Sequence, residues 1–262
     1  FMMSNKELLE GRSVLIGRPV ADGRTLGSKV AQMGALPIYQ PAMMISDTDD
    51  SEPSLSLLTT FIAQYDAAVF VSRNAVRYAL ERRPAYTWPS WMKIYAVGPA
   101  TAKALEEGGF ESVIYPENQA DSEHLAQLIL EANAQAADDE KLRVLIFAAP
   151  GGRSLLADLL EEHCDEVSWC YVYQRLLPTL FPVMPSLMEK YGDGLIVAAH
   201  SQQILSGLWQ LCDFYDLTQK PLCVPSERIA EWAKTEGQQG PISVAKGASD
   251  EQMLEAIQRL VV

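Results

Sequence analysis

The chain has 262 residues and a formal charge of −13, with 48% hydrophobic and 21% charged residues, the balance of a globular protein long enough for two domains. So acidic a chain lacks the basic face that phosphate binding needs, which excludes nucleic acid as the expected partner, and no apolar run approaches the ~20 residues of a membrane span. The opening residues lack the basic-then-apolar layout of a secretory signal, so the expected location is the cytoplasm. Cys164, Cys170, Cys212 and Cys223 form no CxxC pair, and His124, His163 and His200 supply no cluster at zinc spacing. Free structural thiols and no metal are therefore expected. The GxGxxG and GxxxxGK[ST] patterns are absent, so no nucleotide or flavin cofactor is expected. An acidic ligand would have to be held by local donors against the overall field.

In chain order, VLIGRPVADGRTLGSKVAQMGA from Val14 reads as an apolar strand, a loop and a helix, closing on IYQP at 38–41. YDAAVFVSRNAV (65–76) is a strand handing over to a helix at Ser72, and YAVGPATAKALEEGG (95–109) repeats that layout through a Gly-Pro-Ala-Thr turn. QADSEHLAQLI (119–129) reads as a capped helix. After a polar stretch at 133–141, VLIFAAPGGRSLLADLLEEHC from Val144 echoes the opening unit and ends on VYQR at 172–175. GDGLIVAAHSQQIL (192–205) and LCVPSERIAEWAKTEG (222–237) answer the second and third segments. GASDEQMLEAI (247–257) answers the fourth, with Ser249 and Gln252 at capping-box spacing.

The chain thus reads as two kinds of unit alternating, A-B-A-B. Continuous apolar runs of Val, Ile, Leu and Phe alternating with helical periodicity predict parallel strands buried on both faces, a doubly wound α/β fold. Ligands bind such sheets at the carboxyl ends of the strands. Repeats alone leave two pairings open: tandem, divided near 133–141, or interleaved, with the chain ends meeting.

The ordered set VLIGRP, FVSRNAV, AVGPATAKALEEGG, SEHL, VLIFAAPGGRSLLADLL, VYQR, VPSERIAEWA and VAKGASDEQML resembles the uroporphyrinogen-III synthase family over nearly the whole chain. The resemblance implies two flavodoxin-like parallel-sheet domains with interleaved connectivity, residues 1–40 plus 176–262 and residues 41–175, joined by a two-strand linker beside an open cleft. It also implies a monomer that acts on a tetrapyrrole precursor, hydroxymethylbilane, handed over by the preceding enzyme of the pathway. The reaction implied loses water, inverts ring D through a spiro intermediate and closes uroporphyrinogen III, without a cofactor. Such an enzyme must favour one cyclisation over another, so holding a near-attack conformer matters more than strong acid–base chemistry. No nucleophile–base–orienter set appears in the sequence, in keeping with that demand. A non-catalytic binder of an acidic small molecule would use the same backbone donors and is the alternative.

On the resemblance, Tyr173 assists departure of the hydroxyl, and Thr101 with the amides of Gly98, Pro99 and Ala100 holds substrate carboxylates. Thr101 read structurally is a helix cap, and Tyr173 read structurally is a strand-end ring with a wet hydroxyl. Ser72, Arg73 and Asn74 open a helix at the same edge, where Ser72 is a ligand contact or an N-cap. Gly151 and Gly152 admit a ligand or adopt a special φ, while Arg18 and Arg153 pair with carboxylates or with surface acids. Ser201 and Ser226 supply hydroxyls in the second copies. Pro225 is expected to weaken its turn by lacking an amide. His200 is expected to be a structural histidine, and Tyr39 duplicates the position of Tyr173.

Overall fold

The structure, a computed structural model, describes residues 7–135, 141–152 and 154–262; Arg153 lies outside them. The chain forms two compact units, Phe1–Met44 with Leu176–Val262 (unit 1) and Ile45–Arg175 (unit 2).

Unit 1 is a five-stranded parallel sheet built from β1 (Ser13–Ile16), β2 (Leu36–Tyr39), β9 (Leu195–Ala198), β10 (Leu222–Val224) and β11 (Ile242–Val244). Its spatial order is β2-β1-β9-β10-β11, the 2-1-3-4-5 order of flavodoxin-like sheets when its own strands are counted in sequence. Every residue of β1 and β9 is buried, which only a sheet covered on both faces requires. Successive residues go to opposite faces. Leu15, Val197 and Val224 pack with α7 (Met184–Tyr191), α8 (Gln202–Leu211) and α9 (Glu227–Thr235). Ile16, Ala198 and Cys223 pack with α1 (Val20–Gln32) and α10 (Asp250–Gln258).

Unit 2 repeats this plan with its chain order rotated. Strands β4 (Ala67–Phe70), β5 (Lys93–Ala96), β6 (Arg143–Ala148) and β7 (Glu166–Tyr171) are parallel and ordered β7-β6-β4-β5, and a parallel bridge from Tyr95 to Ile114 marks the fifth position. One face carries α2 (Leu55–Thr59), α3 (Arg73–Arg82) and α4 (Pro99–Glu107); the other carries α5 (Ser122–Ala134) and α6 (Leu155–Glu161). Starting from β6 and running on into β4 recovers the strand order of unit 1. Unit 2 is therefore B followed by A, where unit 1 is A followed by B. The chain passes between units through β3 (Met44–Asp47) and β8 (Tyr173–Leu176), which pair as a two-stranded sheet.

Local chemistry sets the helix starts. Ser72, Asp121, Ser201, Ser226 and Ser249 each cap a helix by accepting a backbone N–H, and Ser249 with Gln252 closes the expected capping box. The four cysteines are buried and free. Burial pushes the thiols of Cys170 and Cys223 up to about 12 and that of Cys212 up to about 11, so they stay protonated. Among the described residues no helix is long and apolar enough to cross a membrane, and no group of three or more His, Cys, Asp or Glu side chains could hold a metal.

Candidate functional site

In parallel α/β units each strand ends where a helix begins, so the carboxyl edge of the sheet carries a row of helix N-termini. Their first amides have no partner within the helix, and they attract negative ligands. In unit 2 the order β5-β4-β6 sets three sequence-predicted turns side by side: Gly98–Thr101, Ser72–Asn74 and Gly151–Gly152. In unit 1 the order β10-β9-β1 does the same for Ser226, Ser201 and Arg18.

At the first turn, Gly98 is the N-cap of α4 and Pro99 occupies the first helical position. Ala102 N–H bonds back to Gly98, leaving the amides of Ala100 and Thr101. Thr101 is therefore the third helical residue and 5% exposed, not a cap as one structural expectation had it. Gly98 has extended backbone that any residue adopts; what demands glycine is packing, since a Cβ there would lie 2.7 Å from that of Ala120.

The copy in unit 1 corrects a second expectation. Ser226 caps α9 through the Ile229 amide, so Pro225 lies ahead of the helix and its missing N–H costs the turn nothing. The amides of Glu227 and Arg228 remain, two donors, as many as α4 offers. What distinguishes the copy is Glu227 at the first helical position, whose carboxylate competes for the same positive helix end.

Ser72 and Tyr173, 101 residues apart in sequence, meet. The Ser72 hydroxyl accepts the Ala75 N–H at 3.1 Å and lies 3.1 Å from the Tyr173 hydroxyl. Arg175 donates to that phenol oxygen at 3.3 Å and holds its guanidinium 5.6 Å from the ring centroid. Tyr78 stacks on the ring at 6.1 Å. Tyr173 is 1% exposed, so its hydroxyl is bonded rather than wet. Tyr39, the duplicated tyrosine, instead lies over Gly23 and Gly27 of α1, where a Cβ on Gly27 would collide with its hydroxyl. Arg175 and Tyr78 were missed as candidates; the only sequence signal was the place of Arg175 beside the tyrosine in VYQR.

Gly151 adopts φ +76° with open space around it, so its glycine serves the backbone first. Arg73 is exposed and Asn74 half-buried at the start of α3. Arg18 lies 3.9 Å from Asp250. The His200 side chain is 7% exposed, with neither ring nitrogen hydrogen-bonded among the described residues. Burial, aided by the Arg18 charge, lowers its pKa to about 4, so it is neutral at pH 7.

Comparison with known proteins decides the family. A family model described as uroporphyrinogen-III synthase HemD matches residues 25–255. The chain belongs to the uroporphyrinogen-III synthase family. Uroporphyrinogen-III synthase of Escherichia coli K12 is 29% identical over 94% of this chain and 100% of that one. The Salmonella typhimurium LT2 protein of the same name is 30% identical over the same shares. Among solved structures, a mutant uroporphyrinogen III synthase from the extremely thermophilic bacterium Thermus thermophilus covers 95% of this chain and 98% of its own with a TM-score of 0.62. Uroporphyrinogen-III synthetase from Helicobacter pylori 26695 covers 95% and 99% with a TM-score of 0.60. At 15% and 17% identity these two establish the fold of the family, and the α/β, parallel-sheet expectation holds.

Proposed function

We propose that this chain is a uroporphyrinogen-III synthase, converting linear hydroxymethylbilane into uroporphyrinogen III with inversion of ring D and loss of water. Membership of the family over 25–255 carries the assignment. The carboxyl edges of the two sheets supply what a polyanionic chain needs: backbone donors that hold carboxylates although the protein as a whole is acidic. In unit 2 we assign this role to the amides of Ala100, Thr101, Arg73 and Asn74 and to the open turn at Gly151–Gly152; in unit 1, to Arg18 and the α8 and α9 starts at Ser201 and Ser226. Arg153 belongs to the same proposal by its place in the sequence.

Tyr173 is the group we assign to departure of the hydroxyl. When Ser72 donates to the phenol oxygen, the phenol proton is free to go to the leaving oxygen, and the Arg175 guanidinium stabilises charge left on Tyr173. Because the phenol is buried, substrate reaches it only after local rearrangement around β8. The remaining work is conformational: ring D must be held where its substituted carbon attacks. The protein works as a cytoplasmic monomer without a cofactor, receiving its substrate from the enzyme that makes it.

The test is to supply hydroxymethylbilane and resolve the oxidised products by isomer. Type III porphyrin in excess is expected. Type I alone, at the uncatalysed rate, would leave a non-catalytic binder of acidic small molecules.

A further inference from the structure

Unit 1 holds a polar cluster of which the reaction outlined above uses only Arg18. Arg18 lies in the turn between β1 and α1, His200 follows β9, and Asp250 opens the nine-residue helix α10. Asp250 Oδ1 lies 3.9 Å from Arg18 Nη1 and 4.0 Å from His200 Nε2, contacts too long for hydrogen bonds. Both His200 nitrogens and Asp250 Oδ1 are buried without a hydrogen-bond partner among the described residues. Proteins tolerate few such atoms, and His200 Nε2 and Asp250 Oδ1 facing each other at 4.0 Å indicate a second arrangement in which that pair is satisfied.

We propose that Arg18, His200 and Asp250 form a carboxylate-operated proton switch: Arg18 turns outward to a substrate carboxylate, and His200 takes up a proton from solvent to replace it beside Asp250. The inference rests on the assignment of Arg18 as a substrate contact. Arg18 is the cluster's most exposed member, its side chain 32% exposed against 7% for His200 and 18% for Asp250, so it is the one placed to reach a ligand. Its departure acts on His200 twice in the same direction. The repulsion that helps keep the imidazole neutral is removed, and Asp250 is left a carboxylate without a cation. The imidazolium has two N–H donors, one of which satisfies Asp250 Oδ1. Only an N–H bond forms, with the proton drawn from water, and one unit of positive charge replaces another beside Asp250. The charged groups recorded against His200 are Arg18 from the β1–α1 turn and Asp250 from α10. The neighbouring strand β10 brings Cys223, whose thiol burial pushes up to about 12 and so keeps neutral.

The chain has three histidines, so protein labelled with nitrogen-15 at histidine reports each imidazole by NMR. In the free protein at pH 7 His200 should give the unequal nitrogen shifts of a neutral ring. Saturation with uroporphyrinogen III under anaerobic conditions should bring both nitrogens to the protonated position while His124 and His163 stay put. Without ligand, R18Q should move the His200 midpoint upward. In wild type, affinity for uroporphyrinogen III should weaken by up to about tenfold per pH unit from about pH 4 up to the His200 midpoint of the complex and level off above it, the mark of one linked proton. H200Q should lose that dependence. His200 remaining neutral in the saturated complex, or keeping its midpoint in R18Q, would overturn the switch while leaving the enzyme assignment intact. Failure of uroporphyrinogen III to bind wild type would sink the substrate assignment and the switch together.

Discussion

Tyr173 shows how much a side chain's surroundings add to its identity. Its hydroxyl has two partners, Ser72 and Arg175, so Tyr173→Phe should lower the rate of type III formation by roughly a hundredfold, the lower end for one positioned proton donor, as suits a weakly acidic phenol. Stability should fall by only about 1 kcal/mol, the net worth of a hydrogen bond, measured by denaturant unfolding. Turnover within twofold of wild type, with intact folding, would remove Tyr173 from the mechanism. Ser72 was legible as a helix cap from sequence, and it is one; that its hydroxyl also meets Tyr173 was not, because 101 residues separate them. The Glu166 carboxylate illustrates the same point at the opposite edge of unit 2. Hydrogen bonds from Ser168, Tyr65 and Arg143 lower its pKa from 4.5 to about 2. A carboxylate depressed in the folded state contributes stability above its unfolded pKa and loses it as pH falls. Wild type should therefore lose stability between about pH 4.5 and pH 2 more steeply than Glu166→Gln, as read from thermal unfolding across that range.

At the scale of elements, the turns decide what the sheet edge offers. Gly98 and Ala120 touch so closely that Gly98→Ala should destabilise unit 2 by about 1–3 kcal/mol through overpacking. The double variant Gly98→Ala/Ala120→Gly should recover most of that loss, since it exchanges one Cβ for another across a single contact. No recovery would mean that the glycine serves the backbone of the turn instead. The echo of 95–109 in 222–237 was visible in the sequence, but the inference drawn from Pro225 failed. Donor number depends on where the helix begins, and that is set by which residue caps it. Ser226 sets the start of α9 two residues past the proline, while Gly98, with no side chain, leaves Pro99 as the first helical residue and the Thr101 amide unpaired.

For the whole molecule, pairing of β3 with β8 brings the two crossings of the chain together. Two constructions test each unit as a folding body: residues 45–175 alone, and residues 1–44 joined by a short linker to 176–262. Each should unfold cooperatively, as each has cores on both faces of its own sheet, and neither alone should yield type III product. Circular dichroism with denaturant titration checks the first expectation and isomer analysis the second. The sequence by itself determined the elements, their alternation and the A-B-A-B repeat, because buried parallel strands and capped helices write local, periodic patterns. It also determined the family, because the order of many weak motifs is read along the chain. The repeats by themselves left open which A joins which B, since strand pairing is a non-local hydrogen-bonding choice that similar repeats satisfy in two ways; the tertiary structure pairs them strand by strand. It alone placed Arg175 on Tyr173 and gathered Arg18, His200 and Asp250, because residues that lie far apart along the chain become neighbours only when the sheet sets their turns side by side.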